Sequence, residues 1–244
     1  MTPLEQTSGT LVNVLTVTLG AALGLLVRGR LPERIVAVVM QSLGLTTLFI
    51  GIANAFDLNA VTRPPGVIVG LLALAAGAAL GEWWRLDDRL TGLGERLKER
   101  FRGEGSFTQG FVSASLLFCV GPLTLIGSIQ NGLSGDPSFL LLKSALDGVA
   151  ALALAASYGF GVIFSAVTVL LIQAPISLGA GGLAALVPDP ATDPRVLLVN
   201  GVGGLMIMGL GIDLLGLKRL RIAAMLPALL LVLILYELAV PLFG

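Results

Sequence analysis

The chain predicts an all-α fold, a polytopic transmembrane helix bundle of about eight spans that forms one integral membrane domain over residues 1–244. Three observations carry this. Hydrophobic residues make up 55% of the sequence and charged residues 12%, with a mean hydropathy of +0.95, whereas soluble domains are about one-quarter charged. Apolar runs of about 20 residues, long enough to cross a bilayer, recur along the chain. Twelve of the fifteen Lys and Arg residues fall in alternate loops, as the positive-inside rule requires of a multi-span protein.

The first span is read at 9–28. MTPLEQTSG before it has no basic n-region and carries Glu5, which predicts a retained span rather than a cleaved signal peptide. Arg28, Arg30 and Arg34 follow it, and the second and third spans are placed at 34–54 and 66–84. Six basic residues from Arg85 to Arg102 come next, within a stretch whose Leu86, Leu90, Leu93, Leu97 and Phe101 form a helical stripe beneath Trp83 and Trp84. That stretch, 85–102, predicts an interfacial helix on the cytoplasmic surface, which Gly92 and Gly94 would break. The fourth and fifth spans are 108–129 and 138–157, joined by a Gly/Asn/Asp/Pro turn. Only Tyr158 and Gly159 separate the fifth from the sixth, 160–185. Spans at 195–216 and 222–243 complete the set, with Lys218, Arg219 and Arg221 between them. Arg63, Lys143 and Arg195 alone lie on the other side, so both termini are predicted outside the cytoplasm.

The two halves, 9–130 and 138–243, carry polar residues at similar depths: Asn13 with Asp147, Gln41 with Gln173, Glu82 with Asp213, Pro122 with Pro227. This is consistent with a parallel 4+4 duplication about an axis along the membrane normal. Gly20 and Gly24, Gly66 and Gly70, and Gly77 and Gly81 have GxxxG spacing, which predicts compact packing or a homo-oligomer through those faces.

The sequence holds no histidine and one cysteine, Cys119. The usual general base near neutral pH, the commonest metal ligand and any disulfide or CxxC pair are therefore missing. An enzyme, a cofactor and a metal site are not expected. The net charge is zero, and no nucleic-acid partner is expected either.

The candidate site lies in Gly110–Gly148. Asp147 is the sharpest residue, because a carboxylate deep in a span costs about 2.5–3.5 kcal/mol even on a lenient scale and needs a partner, a proton or a cation. Lys143, four residues earlier on the same helical face, either pairs with it structurally or shares a site with it. Gly121 and Pro122 interrupt the fourth span, and the backbone groups they free, with Thr124 and Ser128, are placed to line a solute or cation path. Gln130 and Asn131 offer donors and acceptors, or cap the helix at the outer turn. Asn13, Gln41 and Gln173 are further binding candidates within spans, each of which can instead hydrogen-bond between helices.

GTLVN (9–13), SLLFCVGPLTLIGSIQNGLSGDPSFLLLKSALDG (115–148) and GLGIDLLGLKRLRIAAMLPAL (209–229) resemble the bacterial inner-membrane family known as domain of unknown function 554. The resemblance covers nearly the whole chain and implies a multi-span bacterial inner-membrane protein, without supplying an activity. GLGID with Pro227-Ala228-Leu229 loosely resembles the GxGD and PAL motifs of intramembrane aspartyl proteases. One residue intervenes before Asp213, and the proline motif follows after only 14 positions.

The function read from these residues is a transporter or channel for a small solute or cation, its polar site near the membrane midplane, with the lipid bilayer as its surroundings. The alternative is a structural or regulatory membrane subunit. A remote third is a hydrolase built on an Asp147–Asp213 dyad.

Overall fold

The computed structural model describes residues 2–182, 189 and 192–243, and among these it is helical with no strand. Among the described residues, seven helical segments are long and apolar enough to span a bilayer, or eight if a bent pair of helices counts as one span. The contacts divide the chain into two units, each discontinuous in sequence: residues 1–43 with 91–188, and residues 44–90 with 189–244.

In the first unit a short helix, α1 (Pro3–Gln6), precedes α2 (Ser8–Val27). Thr2 and Glu5 close a capping box on α1, and the bonds from Thr2 hold the Glu5 carboxyl below its ordinary range. α3 (Glu33–Ala55) begins in this unit and ends in the other. α6 (Phe107–Cys119), α7 (Pro122–Ser134), α8 (Ser138–Tyr158) and α9 (Ser165–Leu178) complete it. The sixth predicted span extended to residue 185, and its residues 183–185 lie outside the described residues.

α2 and α8 run side by side in the same direction at backbone contact. A Cβ on Gly20 would lie 2.1 Å from the Gly148 carbonyl oxygen, and one on Gly24 would lie 2.3 Å from that of Leu152. The α8–α9 boundary, predicted from Tyr158 and Gly159 alone, is a real break. Gly159 has φ +89°, a conformation open to glycine, and a five-residue 3₁₀ turn (Phe160–Phe164) follows. Phe164 packs against Phe101, Phe107 and Phe160, with ring centroids 4.6–5.5 Å apart, which ties this turn to the start of α6.

The second unit contains the end of α3, a 3₁₀ turn (Phe56–Ala60), α4 (Gly66–Trp83), α10 (Pro194–Leu214), a second turn (Ile222–Met225) and α11 (Ala228–Phe243). Its core is Leu58, Val61, Val69, Ala73, Leu198, Val202, Ala228 and Val232. Gly77 abuts the Ala228 backbone and Gly81 the Ala224 carbonyl, while Gly66 and Gly70 pack on Leu58. All six GxxxG glycines are thus engaged in packing inside the chain. Arg221 clamps this unit at one end, reaching Glu82 at 2.6 Å and Asp88 at 2.8 Å. Arg85 also bonds Asp88, and these guanidinium contacts hold its carboxyl below the ordinary range.

The amphipathic segment forms α5 (Leu86–Arg100), bounded by Arg85 and Arg102, both at positive φ. The break expected at Gly92 and Gly94 does not occur. Gly94 packs beneath Thr108, whose hydroxyl donates to Glu95 at 2.6 Å, so the tertiary contact holds the helix through its glycines.

Two substitutions test this packing. Gly20→Val has no room and should lower stability by about 1–3 kcal/mol. Gly92→Ala meets nothing within 4 Å and should raise it, by up to about 1 kcal/mol. Thermal unfolding of the detergent-purified protein reads both.

Candidate functional site

The α6–α7 junction is the broken fourth span. It was predicted as one kinked helix over 108–129, but the chain forms two helices that meet at 58° and continue to Ser134. Gly121, with φ +142°, makes the turn that a side chain would resist, and Pro122 starts α7 at a position where its missing N–H costs nothing. The break frees carbonyls at the end of α6. Thr124 Oγ1 donates to one of them, Phe118 O, at 3.2 Å.

Asp147 is the tenth of the 21 residues of α8, close to mid-span. Lys143 Nζ donates to Asp147 Oδ2, and Asn13 Nδ2, from α2, donates to the same oxygen at 3.0 Å. The side chains of the pair are only 8% and 10% exposed. The intrahelical ion pair read from the spacing is therefore formed, and Asn13 joins it across the α2–α8 contact.

Ser128 and Gln173 lie at the same depth. Gly9 N bonds Asn131 Oδ1 at 2.9 Å, a Cβ on Gly9 would touch Leu140, and one on Gly132 would lie 1.9 Å from Ser177 O. These contacts bring α2, α7, α8 and α9 to one level. Moving three or four residues along each helix, about one 5.4 Å turn, reaches Asn13, Ser128, Lys143 with Ser144, and Gln173. All are buried. Ser144 spends its hydroxyl on Leu140 O. Asn13 Oδ1, Ser128 Oγ and both amide atoms of Gln173 find no partner in the protein, and neither do the hydroxyls of Thr10 and Ser177. A buried polar group left so costs about 1–3 kcal/mol.

Other candidates stand apart. Asn131 is a cap: besides accepting from Gly9 it donates to Glu5 O and Ser8 Oγ, at 3.2 and 3.1 Å. It closes the start of α2, whose own N-cap residue, Thr7, makes no side-chain capping bond to the helix. Gln130 donates to Asp136 in the turn after α7. Asp136 in turn accepts from the Ser138 amide and hydroxyl, bonds that hold its carboxyl below the ordinary range. Gln41 is on an exposed face of α3 and takes no part in the cluster.

Residues 8–237 match the family model described as "Protein of unknown function (DUF554)". The chain belongs to this family. This DUF554 protein is 33% identical over 230 residues to "Uncharacterized protein YqgA" of Escherichia coli (strain K12), an alignment that covers 91% of the chain and 93% of that relative. It is 28% identical over 226 residues to "Uncharacterized membrane protein YdfK" of Bacillus subtilis (strain 168), covering 91% and 92%. No solved structure matches it significantly.

Two members of the polar layer in this DUF554 protein escaped the sequence reading, Thr10 and Ser177. Each lies one turn from a residue that was singled out, Thr10 three before Asn13 and Ser177 four after Gln173, so helical spacing was the signal that could have found them. In the second unit Asn200 of α10 is buried near Asp57, and its Oδ1 has no hydrogen-bond partner among the described residues.

The buried pair makes a sharp forecast for stability. Lys143→Met and Asp147→Leu should each cost about 3–5 kcal/mol, because each strands a charge, whereas the double variant should return close to the wild-type value. Denaturant unfolding of the three purified variants measures this.

Proposed function

We propose that this multi-span membrane protein moves a small solute or ion across the bacterial inner membrane, as a transporter or channel, with its site in the α2/α7/α8/α9 layer. One observation carries the reading. A mid-span ion pair is ringed, at one depth, by neutral side chains whose polar atoms have no protein partner. Charges and unmet hydrogen-bonding groups inside a bilayer are costly and mark substrate pathways. A broken helix beside them is the usual construction of transporter sites. The basic loops and an even number of spans support both termini lying outside the cytoplasm, with α5 on the cytoplasmic face; alkaline phosphatase fused at either terminus should then be active.

A structural or regulatory role is the alternative, favoured by one feature: Lys143 and Asp147 already neutralise each other within one helix. Tracer uptake into proteoliposomes separates the two. Transport requires at least one solute or ion to enter faster than into protein-free vesicles, and Gln173→Leu should slow that uptake at least about tenfold, the loss of one good hydrogen bond to the solute. Its melting temperature should stay level or rise, since the variant removes a buried amide without a partner. Uptake equal to that of empty vesicles across the panel would leave the structural role standing.

A further inference from the structure

We infer that the solute is net-neutral and carries both hydrogen-bond donors and acceptors, a small polyol or amide rather than an inorganic ion. This rests on the transport reading above and narrows its substrate.

The first step is the charge balance. The layer holds one cation and one anion, bonded to each other four residues apart on α8. Lys143 is the one charge that acts appreciably on Asp147 among the described residues, and the remaining partner of that carboxylate is the neutral amide of Asn13. The pair cancels internally. An inorganic ion brought to this depth would carry a charge with no counter-charge left to meet it, in surroundings where uncompensated charge is expensive.

The second step is the inventory of polar atoms that lack a partner. Asn13 Oδ1 and Gln173 Oε1 are acceptors, Gln173 Nε2 is a donor, and the hydroxyls of Thr10, Ser128 and Ser177 can act as either. An anion uses only the donors of such a set. A metal ion uses only the acceptors. With the hydroxyls serving either kind, a metal ion would leave the Gln173 Nε2 donor unmet and an anion would leave the two amide oxygens of Asn13 and Gln173, whereas a molecule built of hydroxyl or amide groups presents donors and acceptors together and can meet both kinds.

The third step is size. α2 and α8 touch backbone to backbone at Gly20 and Gly148, and α2 and α7 are bonded through Gly9 and Asn131. Gly9 and Gly20 are separated by 11 residues, about 16 Å of helix. Asn13, Lys143 and Asp147 fill part of that length, so the occupant is small.

The test is uptake of radiolabelled erythritol, urea, rubidium and chloride into proteoliposomes containing the full chain, with Gln173→Leu and Ser128→Ala alongside and gel filtration to confirm that each variant is folded. Erythritol or urea should enter faster than into empty vesicles, and Gln173→Leu should reduce that rate at least about tenfold. Rubidium and chloride should match empty vesicles in every sample. If only rubidium or chloride enters, transport stands and the neutral-solute assignment is overturned. Uptake of a neutral solute unchanged in both variants also overturns it, because the unmet groups would then not be contacting the solute. If none of the four enters, the transport reading fails and this inference fails with it.

Discussion

Hydrocarbon offers no hydrogen bonds, so every donor or acceptor that this chain carries into the membrane must be matched from within the protein. Much of the first unit is arranged around that constraint. Lys143 and Asp147 cancel each other along α8, and Asn13 supplies the further bond across to α2. Thr124 takes up a carbonyl freed where the fourth span breaks. Asn131 reaches from the end of α7 to the start of α2, where the first amides of the helix would otherwise face nothing. Against so thorough a pairing, the unmet atoms of Asn13, Ser128 and Gln173 are conspicuous because they gather at one level, with those of Thr10 and Ser177 one turn away.

Glycine sets that level. Where Gly20 meets Gly148 and Gly132 meets Ser177, the helices approach to distances that no side chain would permit. Backbone contact of this kind fixes the relative height of two helices more tightly than leucine packing does, because the interlocking surfaces are rigid. The polar residues one or two turns away are brought to a common depth as a consequence. In the second unit Gly77 and Gly81 do the same for α4 against Ala228 and Ala224, beside the apolar cluster of Leu58, Val69, Val202 and Val232.

The spans were legible in the sequence because hydropathy over twenty residues is a property of composition, and the Lys143–Asp147 pair was legible because four residues is one helical turn. Gly159 marked a boundary for a local reason, its backbone conformation. Readings that depended on neighbours fared differently. That Asn13 would touch Asp147, and that Asn131 would cap a helix far away in sequence, follows only from knowing which helices lie side by side. Gly92 and Gly94 suggested a break on propensity alone, and the contact of Gly94 with α6 outweighed it. Thr10 and Ser177 went unseen because a lone hydroxyl in an apolar helix normally bonds its own backbone.

The Asn131 cap has a consequence for how the protein is made. Its partner Gly9 lies 122 residues earlier, and Asn13 waits 134 residues for Asp147. At synthesis rates of about 5–20 residues per second, the first helix spends on the order of 6–25 s in existence before the residue that closes its end has been added. The bond between Lys143 and Asp147, by contrast, needs only the helix that carries both. α2 is therefore completed only once α7 and α8 have been added.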